Sequence, residues 1–164
     1  MKTVSPYDLK DNAFDLLDHQ WMLISAGDSL RSNTMTASWG GFGVLWGRPV
    51  ATAYIRPTRY TYGLTESHDL FSLAFLGEEY RPALQLCGKE SGRDLDKWKA
   101  SGLTPVFAEG TVYPAEARMV MICRKLYFFD IDPANMLDPT LDKFYRDDYH
   151  RAYIAEIGKV LVAE

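Results

Sequence analysis

Cysteine is nearly absent. Cys87 and Cys123 are the only two, far apart and without CxxC spacing. That leaves no disulfide framework to build, so reduced thiols and a cytoplasmic setting are the expectation. Histidine is almost as scarce: His19, His68 and His150 fall in no HxxxH or HExxH pattern. No local metal signature exists, and each histidine reads as a surface or hydrogen-bonded structural residue. No apolar run approaches membrane-spanning length, and the first residues lack the apolar core of a signal segment. An excess of one charge is missing too, with 18 Lys and Arg against 22 Asp and Glu. The net charge of −4 favours solubility and argues against a nucleic-acid or anionic-membrane partner.

Familiar catalytic motifs are also missing. Gly41-Phe42-Gly43 starts like a dinucleotide fingerprint, but Trp46 stands where the third glycine belongs and Arg48-Pro49 follows instead of a helix. Gly88-Lys89-Glu90 has neither the upstream glycine nor the Ser/Thr of a phosphate-binding P-loop, and no Gly-x-Ser-x-Gly elbow occurs.

What is present suits one soluble globular domain. The chain has 164 residues, 47% hydrophobic and 24% charged, enough to bury a real core. The pattern is mainly β. Strands are predicted at residues 21–27, 32–40, 49–55, 70–76, 106–107, 116–130 and 153–158, with a sharp bend in the glycine-rich 40–47 segment. Short helices are predicted at 13–17, 60–67, 78–87 (stopped by Gly88) and 95–100. Asp132-Pro133 and Asp138-Pro139 mark turns or short helix starts. Short links between the early strands imply antiparallel pairing in a meander or barrel. The 116–130 run is apolar on both faces, so a core or a partner subunit must cover each side.

Residues 32–40 are chemically odd for a strand. Thr34, Thr36 and Ser38 share one face, and Asn33, Met35, Ala37 and Trp39 the other. On this stretch alone, an edge strand with a polar outer face is the simpler reading. Short hydroxyls and an alanine also let a flat ligand lie close to the backbone. A second segment changes the balance. Arg56 and Arg59 bracket Pro57, and Tyr60 and Thr61 follow. Two guanidiniums, the Thr58 and Thr61 hydroxyls and the amides of a helix N-terminus make a phosphate cradle, although arginine pairs are often simply solvated. The loop from Ser91 to Lys97 offers a second anion contact, or only a capped helix start. A strand for a ring system, an arginine turn for a phosphate and abundant aromatics fit flavin mononucleotide (FMN).

Three stretches carry a resemblance to the flavin reductase-like family, which includes flavoredoxin and NAD(P)H:flavin oxidoreductases. They are Asn33-Thr34-Met35-Thr36-Ala37-Ser38-Trp39-Gly40, Arg56-Pro57-Thr58-Arg59-Tyr60-Thr61 and Cys87-Gly88-Lys89-Glu90-Ser91-Gly92-Arg93-Asp94. The likeness runs in order from about Trp21 to Ile157 and takes in Tyr149-His150-Arg151. It implies an FMN-binding split β-barrel, antiparallel and Greek-key-like, that forms a homodimer with flavin near the subunit interface. It also implies that Met35, Thr36, Ala37, Ser38 and Trp39 lie along the isoalloxazine ring and ribityl chain. Arg56, Arg59, Tyr60 and Thr61 would surround the phosphate end, with Ser91 and Lys97 as further contacts. Cys87 matches a family position near the site, though a buried, inert cysteine is the plainer account. The family admits NADH or NADPH as electron donor, a protein redox partner, or flavin binding without turnover. It supplies no catalytic side chain.

Overall fold

Alternation of side chains dictates the architecture. The computed structural model describes residues 1–164, as ten strands with three α-helices, four short 3₁₀ turns and one π-helical turn. The strands are β1 (Lys2–Val4), β2 (Met22–Gly27), β3 (Ser32–Ala37), β4 (Gly40–Leu45), β5 (Arg48–Ile55), β6 (Leu70–Phe75), β7 (Pro105–Ala108), β8 (Thr111–Pro114), β9 (Met119–Asp130) and β10 (Arg151–Val162). The helices are α1 (Tyr60–Ser67), α2 (Arg81–Lys89) and α3 (Lys97–Ser101). No helix is long and apolar enough to cross a membrane.

In β2, β6 and β9 both faces are buried, each by a different core. Met22, Ile24, Phe71, Leu73, Met119 and Met121 point into one cluster with Ala53, Ile55 and Tyr153. Leu23, Ala74, Val120 and Ile122, one residue out of phase, join a second cluster under α2, α3 and the β7–β8 ribbon. The Met119–Cys123 portion of the apolar run is therefore covered on both sides by its own chain. Beyond it, Tyr127, Phe128 and Phe129 remain exposed.

Every pairing is antiparallel, in the order β3-β2-β6-β9-β10-β5-β4, with β1 added beside β10 and β7–β8 as a separate ribbon. The two edge strands, β3 and β4, are consecutive in the chain and separated only by Ser38 and Trp39. Three Cα steps span at most about 11 Å. The sheet must therefore curl until its edges almost meet, and it is held there by a covalent corner with no hydrogen-bonded ladder across the seam. The expected antiparallel barrel with few short helices is borne out, and its opening falls at the Ser38–Trp39 corner.

Local signals explain most boundaries, but several differ from expectation; the 13–17 helix, for one, is a π-helical turn at Asp15–Gln20. The glycine-rich 40–47 segment is an edge strand closed by a two-residue turn, with Trp46 at φ 53° and Gly47 at φ 67°. Positive φ at both central positions matches the right-handed twist of the flanking strands. Helix α2 does not stop at Gly88 but continues to Lys89. Its terminal carbonyls find side-chain donors, so no left-handed glycine is needed. The residue 116–130 run starts as a strand only at Met119, and β8 carried too few residues between turns to stand out in the sequence. By contrast, α1 begins and ends at the expected residues, behind an extended Arg59 that serves as its cap.

Candidate functional site

The corner, the end of β5 and the entry to β10 enclose a cavity of about 300 Å³ lined by Met35, Thr36, Ala37, Ser38, Trp39, Tyr54, Arg56, Arg59 and His150. Seven of the eleven residues singled out in the sequence are brought together here. The small side chains have a visible purpose. Ser25 donates to Thr34 (2.9 Å) and Asn33 donates to Thr61 (2.9 Å), so the polar atoms in the first half of β3 are satisfied internally. Thr36 donates to the Leu84 carbonyl of α2 at 2.5 Å, which fixes the helix against the strand. Ser38 and Trp39, past the last rung of β3, lie outside both ladders. A second opening of about 580 Å³, between this strand end and Trp21, Leu84, Gln85, Gly88 and Lys89, reaches Thr36, Ala37 and Ser38 from the α2 side.

The electrostatics are unusual. Arg59 donates to the carbonyls of Gly88 (2.9 Å) and Cys87 (3.2 Å), and Lys97 donates to the same Cys87 carbonyl at 2.7 Å. Neither cation takes part in any ion pair, although acidic residues neutralise Arg48, Arg118, Arg124, Arg151 and Lys159 elsewhere. Lys97 is almost fully buried, and burial followed by the Arg59 charge lowers its ammonium to about 8. Burial and the Arg56 charge also lower the Arg59 guanidinium below its ordinary value. One buried and one half-buried positive charge, whose only partners are helix carbonyls, form a site short of an anion. Cys87 adds nothing nucleophilic, because burial raises its thiol despite the nearby Lys97.

The remaining candidates are placed differently from their expected common cradle. Tyr60 and Lys97 line an adjoining cavity of about 480 Å³, where Tyr60 accepts a hydrogen bond from Arg31 (2.9 Å) and lies beneath both Arg31 and Arg93. Thr61 is fully buried with its hydroxyl taken up by Asn33, which removes that hydroxyl from any ligand surface. Ser91 lines neither cavity. Its hydroxyl accepts the Arg93 amide (3.2 Å), and the loop it starts is held by Arg93 donating to the Thr58 carbonyl (2.8 Å). Gly92 is obligatory there, since a Cβ would lie 2.5 Å from both Asn33 and the Tyr60 ring. Arg56 lines the main cavity but directs its guanidinium outward, to the carbonyls of Asp148 (2.7 Å) and Phe144 (2.8 Å).

His150 corrects the expectation that every histidine is a surface or hydrogen-bonded structural residue. It is only 8% exposed, its ring is 5.1 Å from Trp39, and its Nδ1 is buried without a partner. Burial and then the Arg56 charge push it down to about 4, against the opposing effect of Asp148. The imidazole beside this cavity is therefore neutral at pH 7, and its buried Nδ1 has no partner within the chain. Tyr54, 6.3 Å from it, completes the wall. Both were invisible as site residues because only the β5–β10 pairing, with Arg151 opposite Ile55, brings residue 150 beside residue 56.

These features fit an anionic ligand with a flat head. The strand end and Trp39 offer a narrow wall, Arg59 on the cavity and Lys97 behind it lack a counter-ion, and neutral His150 lines the same cavity. Comparison with known proteins points the same way. Residues 14–137 match the family model described as "Flavin reductase like domain". No curated protein matches the chain in sequence. Among solved structures, flavoredoxin of Desulfovibrio vulgaris (Miyazaki F) superposes with a TM-score of 0.70 at 24% identity, covering 100% of this chain and 78% of that one. An FMN-binding protein from Thermus thermophilus with bound 1-cyclohex-2-enone gives 0.69 at 18% identity, covering 99% and 80%. A flavin reductase with a split barrel domain from Shewanella frigidimarina gives 0.71 at 17% identity, covering 96% and 77%. At these identities the likeness is one of fold, and that fold is the split barrel.

Proposed function

Because this chain belongs to the flavin reductase-like domain family, we propose that it binds FMN at the split-barrel corner and works as an NAD(P)H-dependent flavin oxidoreductase. One observation carries this reading: half-buried Arg59 and buried Lys97, neither with a carboxylate partner, converge on the Cys87 carbonyl beside the small-residue strand end. The flavin, when bound, supplies the hydride-accepting and electron-donating chemistry. This chain's residues position it. Arg59 would hold the phosphate, with buried Lys97 adding positive charge behind the Cys87 carbonyl that the two share. Met35, Thr36, Ala37, Ser38 and Trp39 would line the ring and ribityl chain, and the backbone groups of Ser38 and Trp39, outside both ladders, would be free to bond its polar atoms. Neutral His150 lines the cavity without adding a further charge to a site already rich in cations. Tyr54 and Trp39 keep water off the flat wall. No acid or base is required of the protein, since alignment of two flat rings dominates such a transfer.

The test is direct. Purified protein is titrated with FMN and with riboflavin, then mixed rapidly with NADH or NADPH while the visible flavin absorbance is followed. Saturable FMN binding and bleaching by one nucleotide are the expected results. FMN binding without bleaching by either nucleotide, but with reduction by a protein donor, would replace the enzyme with a flavoredoxin-like electron carrier. Failure to bind flavin would end both.

A homodimer completes the proposal. Half of the apolar run expected to cover an interface is internal, so the interface is assigned to the exposed remainder: Tyr127, Phe128 and Phe129, with Trp46 6.2 Å from Tyr127 and Val44 and Leu45 on the adjoining edge strand. Such a patch is larger than isolated surface hydrophobics require and suits a self-complementary contact. Light scattering at micromolar concentration should give a dimer mass, and Trp46→Lys with Tyr127→Glu should give a monomer. A wild-type monomer would remove the interface.

A further inference from the structure

Residues 132–149 run beside the cavity, against its lining residues Trp39, Arg56 and His150, with little of their own to hold them down. No side chain in this segment is buried, and Leu137, Leu141 and Phe144 are exposed. Its structure is two short 3₁₀ turns, Pro133–Asn135 and Pro139–Phe144, each capped by an aspartate. A segment of this kind opens at low free energy unless specific bonds retain it. The retaining bonds gather at one place. Arg56 donates to the carbonyls of Phe144 (2.8 Å) and Asp148 (2.7 Å), with the Asp148 carboxylate 3.8 Å away. Thr58 donates to the same carboxylate at 2.7 Å. The Arg56 guanidinium lies 5.2 Å from the Tyr145 ring, which stacks at 4.7 Å on Tyr149. Phe144 and Tyr145 meet Trp39 edge-on at 5.5 and 6.4 Å. Asp147, at φ 59°, supplies a left-handed residue next to these bonds, where the chain turns back toward His150 and β10.

From this geometry we infer that the 132–149 segment is a strap latched across the flavin cavity by Arg56, and that Arg56 is a positioning residue governing ligand entry and exit, not a phosphate ligand. The inference rests on the flavin reading for the identity of the ligand, but not for the strap itself. Its donors Nη1 and Nη2 are directed to strap carbonyls, while the counter-ion deficit lies at Arg59 and Lys97. Of the strap and its junction with β10, only His150 lines the cavity. Releasing the strap therefore changes the path to the site more than the site's affinity.

Three measurements on Arg56→Ala and Arg56→Lys test this. Trypsin cutting after Lys143 in the unliganded protein should quicken about tenfold in the alanine variant, as expected from loss of hydrogen bonds to a charged group, and less in the lysine variant. Stopped-flow binding of FMN should show association and dissociation both faster by a similar factor, leaving Kd within about threefold. Riboflavin should behave as FMN does. Asp148→Ala, which leaves Arg56 in place but removes the Thr58 tether and the ion pair, should quicken cutting in the same direction. A loss of FMN affinity with riboflavin affinity unchanged would make Arg56 a phosphate ligand and overturn the latch. Unchanged cutting in a folded Arg56→Ala protein would overturn it too. Faster cutting in a protein that binds no flavin would keep the strap and sink the flavin reading instead.

Discussion

Arg59→Met should weaken FMN binding roughly 10- to 150-fold and leave riboflavin binding nearly unchanged. The estimate follows from about 1.5–3 kcal/mol for hydrogen bonding by a charged group, at about 1.4 kcal/mol per factor of ten. Methionine keeps most of the unbranched stem and removes only the fork that joins Gly88, Cys87 and the proposed phosphate position. The comparison between the two flavins matters because they differ by the phosphate alone. An equal loss for both would mean that Arg59 shapes the site through α2 and touches no phosphate. The variant should also be less stable by about 1–3 kcal/mol in urea, since the end of α2 loses the donor to the Gly88 carbonyl and one of two donors to the Cys87 carbonyl. Added FMN should recover less of that stability than it does in the wild type, because ligand stabilisation scales with the logarithm of ligand concentration over Kd.

His150 should make the fold acid-sensitive. Its imidazole titrates at about 4 in the folded chain, against an ordinary value of 6.5, because burial and the Arg56 charge oppose protonation. Between those values the unfolded chain binds the extra proton and the folded chain does not. The stabilising contribution is complete above pH 6.5 and is lost as pH falls through 4. A shift of this size corresponds to about 3 kcal/mol. His150→Phe keeps a flat ring against Trp39 and cannot titrate. Urea midpoints measured at pH 7, 5.5 and 4 should therefore fall more steeply for the wild type than for the variant. The difference between the two curves isolates this group from Asp15, Asp28, Asp130 and Asp138, whose carboxyls are also held low by hydrogen bonds. Parallel curves would show that the imidazole protonates freely in the folded state and that the cavity is wetter than its burial implies.

Local chemistry was legible wherever a few neighbouring residues suffice. Pro57 and an extended Arg59 set the start of α1, and continuous apolar runs marked β2, β6 and the core of β9. The run of small residues in β3 and the two arginines were also readable, and the fold places Met35, Thr36, Ala37, Ser38, Trp39, Arg56 and Arg59 around one cavity. Side-chain direction was not legible. Arg56 and Arg59 are three residues apart, yet one faces the strap and the other the end of α2. Thr61 looked like a cradle hydroxyl and is instead an internal acceptor for Asn33. Gly88 looked like a helix stop, and Lys97 and Arg59 relieve α2 of that need.

The sequence by itself determined a mainly β antiparallel barrel, a strand able to take a flat ligand close to its backbone, and a cationic turn. Each depends on side-chain period or on residues adjacent in the chain. Tertiary structure alone decided where the barrel opens, which cations go without a counter-ion, and that a histidine from the far end of the chain enters the site. Those outcomes hang on long-range registers, above all Arg151 against Ile55 and Arg151 against Asp130. A one-residue slip in such a ladder would turn every side chain to the opposite face. Burial, which sets the charge state of His150 and Lys97, exists only once those ladders have closed.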